Sequence, residues 1–369
     1  MNYAVTILIA LIVAFIATPL VKKLAFKLGA TSLPKDERGA QKQPIALLGG
    51  AAMIIGFLTA LIYNMAIGAI ALDRPVAGLL AGALILFICG YLDDRYVLKW
   101  QLKALFQLAA AITYVAVSDL QIDFFTNPFV ADDIIELAPL IAWPLTILWI
   151  VGLTNALNFI DGLDGLAAGV ASISALSLFF VSILSQGVLF DSAAPIMMAA
   201  LAGAALGFLP FNFNPARIFM GETGAAFLGF TLAAVSIQGM LKSYAMISLA
   251  IPVLIIGIPI FDVLFAIVRR IANKTSPVSR DAGHLHNKLM KMGLTHRQSV
   301  VLLYITSAVL GLCGFIFANK NYISAAILLI LLPVFVFACA KYLTGEKAAV
   351  KAAEPDGDSP VSDTADSAE

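Results

Sequence analysis

Two successive aspartates, Asp93 and Asp94, followed by Arg95, close an otherwise apolar stretch of the chain. Adjacent carboxylates repel each other unless a cation lies nearby, and Mg²⁺ is a natural one, since it takes one or two carboxylates, waters and substrate phosphates. The competing reading is a charged helix end neutralised by Arg95. A second set, Asn155, Asn158 and Asp161, recurs every third residue and so lines one side of a helix end. Gly162, Asp164 and Gly165 follow, the glycines freeing the backbone to turn or to approach a ligand. A third set runs from Asn212 through Phe219 to Gly221-Glu222-Thr223-Gly224. Its amide and aromatic ring suit a nucleobase and its carboxylate suits a metal. A fourth, His284-Leu-His286-Asn287-Lys288, holds two of the chain's 3 histidines. His-x-His without cysteine is a weak zinc signal. Beside Arg269, Arg270, Arg280, Lys291 and Arg297 it reads better as a basic loop facing phosphate. A basic stretch ending at Lys42 leads into Pro44 and Gly49-Gly50 as a fifth segment.

These residues have to be positioned by apolar helices. The chain of 369 residues is 61% hydrophobic and only 12% charged, whereas soluble domains carry about 25% charged residues. A bilayer core needs roughly 20 apolar residues per helix. Eleven candidate spans are expected, at 4–22, 46–64, 75–92, 102–118, 138–153, 165–184, 194–210, 223–240, 246–268, 299–318 and 322–341. The expected fold is therefore an all-α integral membrane bundle over 1–344, followed by a disordered cytoplasmic tail at 345–369 rich in Ala, Asp, Ser and Pro. Cys89, Cys313 and Cys339 all fall in apolar runs and read as small hydrophobes. With the N-terminus outside, only Arg74, Lys242 and Lys320 of the 23 basic residues fall outside the cytoplasm. That asymmetry predicts a cytoplasmic C-terminus and a cytoplasmic polar face. Asp262, inside the ninth span, is a functional suspect by default, with pairing to Arg269 and Arg270 as the alternative. Pro252 and Pro259 predict a kink in the same span.

Asp93-Asp94-Arg95, Asn155-x-x-Asn158-x-x-Asp161-Gly-Leu-Asp164-Gly, Phe219-Met-Gly-Glu222-Thr-Gly and His284-x-His286 occur in this order. Together they resemble the polyprenyl-phosphate sugar-1-phosphate transferases, over about residues 5–342. The resemblance is closest to the bacterial branch that moves N-acetylglucosamine 1-phosphate onto undecaprenyl phosphate. The related muramoyl-pentapeptide transferases carry three histidines where this chain has His284-Leu-His286-Asn287. Two positions depart from the family pattern: Glu222 stands where Asp is found, and Asn287 where His is usual.

The resemblance implies roles. Asp93 and Asp94 match carboxylates that orient the lipid phosphate and Mg²⁺, with Mn²⁺ as an alternative. Glu222 matches the principal metal position, with Asp94 and Asp161 as further ligands. Lys42, Asn155, Asn158, Asp161, Asp164, Asn212 and Phe219 match substrate-binding positions, Phe219 stacking on uracil. Asp93, Asp94, His284 and His286 match the catalytic group. The expected partners are a UDP-sugar, undecaprenyl phosphate and membrane lipid. No nucleic-acid partner is expected, and a homodimer is left open. The expected setting is a bacterial plasma membrane, and the product starts a cell-envelope glycan such as a teichoic acid or O-antigen. Rival readings are transfer of another UDP-N-acetylhexosamine, a non-catalytic paralogue, a secondary transporter and a CDP-alcohol-type phosphotransferase. Polar residues in loops rather than at mid-membrane weigh against the transporter. The missing arginine and later aspartates weigh against the CDP-alcohol type.

Overall fold

A computed structural model describes residues 2–32, 43–126, 134–184, 193–240, 250–272, 284–319 and 321–353. The chain begins with α1 (Tyr3–Leu28) and α2 (Gly49–Ala66), joined across a short hairpin of β1 (Thr31–Ser32) and β2 (Ile45–Ala46). There follow α3 (Arg74–Tyr96), α4 (Trp100–Ser118), the hairpin β3 (Phe124–Thr126) and β4 (Ile134–Glu136), α5 (Pro139–Ile160), α6 (Leu166–Leu184), α7 (Ala193–Asn212) and α8 (Gly221–Met240). The remainder is α9 (Ala250–Ile255), α10 (Gly257–Ala272), α11 (Leu285–Lys291), α12 (His296–Ala318) and α13 (Tyr322–Ala353). Nine of the described helices are long and apolar enough to cross a membrane. The protein is an all-α, multi-pass membrane bundle.

Helices α7 and α8 are apolar on every side and are buried on nearly every side, as such helices must be. α1 crosses α7 at a stripe of small residues. A side chain on Gly203 or Gly207 would run into the α1 backbone at Ile7 and Leu11. Without a hydrophobic force between helices in lipid, such close backbone approach supplies the packing. Around this centre, α3 packs on α4 and α8, α5 on α8, and α6 on α12. Leu8, Ile12, Phe15 and Ile16 on α1, and Ile323, Ile327 and Ile330 on α13, face outward as a lipid-facing surface does.

Three expectations are corrected. The fifth span does not stop at 153 but continues as helix to Ile160. Asn155 and Asn158 interrupt the apolar run there, yet both amides find partners on neighbouring helices, so the helix persists. The ninth span is not one kinked helix: it breaks at Ile256 into α9 and α10, flanked by Pro252, Gly257 and Pro259. The last helix runs past 345 to Ala353, because Glu346, Lys347, Ala348 and Ala349 are strong helix formers.

Candidate functional site

The ends of α3, α5 and α7 and the beginnings of α2, α4, α6, α8 and α12 meet at one end of the bundle. There the first turn of α8 leaves backbone N–H groups without helical partners. Asp94, carried by α3, satisfies them. Its Oδ1 accepts from Glu222 N at 2.8 Å, and its Oδ2 from Thr223 Oγ1 at 2.7 Å and Thr223 N at 3.3 Å. A carboxylate is favoured at a helix N-terminus, so one side chain locks α3 to α8. Gly221 makes this approach sterically feasible: its φ is +69°, and a Cβ there would strike the Asp94 carboxylate.

Locked this way, α8 presents Glu222. Its Oε2 accepts from Lys103 Nζ at 2.7 Å and from Asn158 Nδ2 at 2.9 Å. Lys103 also donates to Asp93 Oδ2 at 3.2 Å, while Asp93 Oδ1 accepts from Leu98 N at 2.8 Å. A single ammonium from α4 thus bridges acids from α3 and α8. Asn155, one turn earlier on α5, faces α4 instead and exchanges hydrogen bonds with Gln107. Asp161 caps the end of α5. Among the described residues no hydrogen bond reaches its carboxylate. Burial, followed by the charges of Asp94, Asp164 and Glu222, pushes its pKa up to about 7.

The two loops that flank this centre are stitched together. Asp164 Oδ2 accepts from Asn214 Nδ2 at 3.0 Å and Ala216 N at 3.1 Å. Asn212 Oδ1 accepts from Gly165 N and its Nδ2 donates to Ile218 O, both at 3.1 Å. Asn212 is buried with both ends of its amide engaged, so it braces the loop that carries Phe219. Phe219 is half-buried, and its backbone is pinned by Ala46 O and Gly49 N at 2.9 and 3.0 Å. Arg297, from α12, donates twice to Asn214 O.

The histidine loop completes the site from the α10 side. His284 Nδ1 lies 2.8 Å from Asp262 Oδ2, and Leu285 N donates to Asp262 Oδ1 at 2.8 Å. The ring of His284 stacks between Phe159 and His286, with centroids 6.0 and 5.7 Å away. His286 rests against Gly162, beside Asp161, so closely that a Cβ on Gly162 would strike its ring. Burial holds the His286 imidazole below the usual histidine value. Lys42, Arg280 and Asp281 lie outside the described residues.

Among the described residues no group of three or more His, Cys, Asp or Glu side chains converges as a preformed metal cage. Mg²⁺ does not need one, because it keeps several waters and takes substrate phosphate oxygens. Among the described residues no hydrogen bond reaches the Asp161 carboxylate or Oε1 of Glu222, and two carboxylate oxygens so placed fit such a donor set.

Residues 76–240, from α3 to α8, match the model of glycosyl transferase family 4. A probable undecaprenyl-phosphate N-acetylglucosaminyl 1-phosphate transferase of Bacillus subtilis is 41% identical over 90% of this chain and 88% of its own length. The chain belongs to glycosyl transferase family 4. Its relatives also include a decaprenyl-phosphate N-acetylglucosaminephosphotransferase of Mycolicibacterium smegmatis, 34% identical over 81% of this chain and 78% of the relative. An undecaprenyl-phosphate alpha-N-acetylglucosaminyl 1-phosphate transferase of Yersinia pestis is 28% identical over 84% of this chain and 83% of its own length. The family match contains all the acids of the centre, and the longer match to the Bacillus relative is the more extensive support.

Several residues of the site escape a reading by sequence. Lys103 opens an apolar span, where a lone lysine reads as a membrane anchor; only its position one helical turn into α4, facing Asp93 and Glu222, reveals the bridge. Gln107 and Phe159 carry no local signal of their own.

Proposed function

We propose that this family 4 member transfers N-acetylglucosamine 1-phosphate from UDP-N-acetylglucosamine to undecaprenyl phosphate, releasing UMP. The observation that carries this reading is the acid centre: Asp93, Glu222, Asn158 and Lys103 joined within hydrogen-bond distance at one end of a membrane bundle, beside the unbonded Asp161. The names of the Bacillus and Yersinia relatives support the choice of substrates.

The lipid phosphate oxygen attacks the β-phosphorus of the UDP-sugar, and the bond to UMP breaks. Phosphoryl transfer depends mainly on positioning and charge neutralisation. A phosphate monoester has a second pKa of about 6 and is largely a dianion at neutral pH, so no strong base is required. Asp161 and Glu222 would hold Mg²⁺, which when bound neutralises charge on the phosphates. Lys103 keeps the acids from repelling one another. Both oxygens of Asp93 are engaged, by Lys103 and Leu98 N, which favours a steering role over attack by its carboxylate. Phe219 offers its ring to uracil from the braced loop. The prenyl chain is suited by an apolar cavity of about 320 Å³ between α5 and α10, lined by Leu145, Leu148, Trp149, Ile260, Leu264 and Ile267. The enzyme sits in a bacterial plasma membrane with this face cytoplasmic, and the lipid-linked sugar primes an envelope glycan.

The test is UMP release by purified protein from UDP-N-acetylglucosamine and undecaprenyl phosphate, with Mg²⁺ and with chelator. Metal-dependent release supports the reading. Release only with another UDP-N-acetylhexosamine would move the substrate, and none with any would favour a non-catalytic paralogue.

A further inference from the structure

The acid buried in α10 is not explained by the reaction just described. Asp262 is 6% exposed and His284 is 9% exposed, in a part of the chain where an unpartnered carboxylate would be costly. Its two oxygens are divided between two donors of the histidine loop. Oδ2 faces His284 Nδ1 and Oδ1 accepts from Leu285 N, each at 2.8 Å. A carboxylate without a proton can only accept, so His284 carries its hydrogen on Nδ1. That leaves Nε2 as the one ring nitrogen able to exchange a proton, and the second bond fixes the loop backbone from which the ring projects. The same loop lays His286 against Gly162, next to Asp161.

We propose that Asp262 is a positioning residue for the transfer reaction: it sets the tautomer of His284 and docks the histidine loop against the acid centre. The inference rests on the phosphotransferase reading for its effect on turnover, but the tautomer itself does not. An asparagine at this position has one acceptor oxygen, where two N–H groups now need one each. In Asp262→Asn the amide NH₂ faces His284 Nδ1, which must then accept, and the ring hydrogen moves to Nε2.

The chain has only 3 histidines, so ¹⁵N-histidine spectra of the full-length protein in bilayers are readable, with His284→Ala as the assignment control. At a pH where the imidazoles are neutral, the parent is expected to show His284 protonated at Nδ1 and Asp262→Asn at Nε2. In the UMP-release assay, Asp262→Asn is expected to lower kcat by about 10²- to 10⁴-fold, the range of a misplaced acid–base group. KM for UDP-N-acetylglucosamine should stay within about threefold, as for loss of an interaction made only in the transition state. In a His284→Ala background the same substitution should cost nothing more, because coupled residues are not additive. An Nε2-protonated His284 in the parent overturns the proposal even if the variant fails to fold. A folded Asp262→Asn with parental kcat, or full additivity with His284→Ala, overturns it equally. An inactive parent with the expected tautomer would instead count against the proposed function.

Discussion

Glu222 concentrates the residue-scale chemistry. Its Oε2 is held by Lys103 and Asn158, and among the described residues no hydrogen bond reaches its Oε1. Glu and Asp offer the same two oxygens, but Mg²⁺ demands near-octahedral geometry, so the extra methylene must be absorbed locally. Glu222→Gln removes the charge and is expected to abolish Mg²⁺-dependent UMP release while leaving the melting transition intact. Glu222→Asp should keep measurable turnover with a shifted metal requirement. A Glu222→Gln variant as active as the parent would exclude the ligand role. Asp161 makes a separate prediction through pH. Its pKa is raised in the fold to about 7 from an ordinary 3.8, so the folded protein binds this proton more tightly than the unfolded chain. Stability is therefore greatest below about pH 4 as far as this group is concerned, and is lost as pH rises to about 7. Metal-free Asp161→Asn should melt higher than the parent at pH 8, and their difference should shrink on acidification; added Mg²⁺ should stabilise the parent and not the variant. Phe219→Ala deletes a ring suited to stack on uracil. The expected outcome is a UDP-sugar dissociation constant raised about 5- to 150-fold, equivalent to ~1–3 kcal/mol of base stacking, with lipid-phosphate affinity unchanged. Equal losses for both substrates would make the ring purely structural.

Between elements, two glycines decide whether the parts can meet. Gly221 lets the Asp94 carboxylate reach the first turn of α8, at a φ that L-residues rarely adopt. Gly162 makes room for His286 beside the α5–α6 loop. The two act on different junctions, which separates their consequences. In Gly221→Ala, left-handed backbone costs about 1–2 kcal/mol and the α3–α8 lock is strained, so both melting temperature and activity should fall. In Gly162→Ala only the ring of His286 has to move. Turnover should drop at least tenfold, by the sensitivity of catalysis to small displacements, with little change in melting temperature. Parallel losses in both variants would mean that the histidine loop is part of the stability core.

For the molecule as a whole, the acid centre and the histidine loop gather at one end of the bundle. The proposed topology puts that face and the C-terminus in the cytoplasm. A reporter fused after Glu369 should be active only in its cytoplasmic form; activity outside the membrane would invert the placement of the site. The ion pair of Arg74 with Asp119 at the opposite end is exposed on both sides, 75% and 80%, and exposed pairs contribute little. Its removal should leave both stability and turnover near the parent's.

Long apolar runs, the asymmetry of lysines and arginines, and the paired aspartates with their spaced amides follow from the order of residues alone. They were enough to predict a helical membrane bundle and the family, because a hydrocarbon solvent allows few structures and tolerates polar groups only where they serve. Which acid does what was decided in three dimensions. Asp94 reads as a metal ligand and serves as the N-terminal cap of α8. Asn212 reads as a uridine contact and braces a loop, and Asp262, a functional suspect by its place in an apolar span, holds His284. Lys103 belongs to no motif and bridges Asp93 and Glu222. The bonds of Asp94 and Lys103 join helices far apart in the chain, and a residue's type and local spacing say only that it can bond, not which group will stand opposite it.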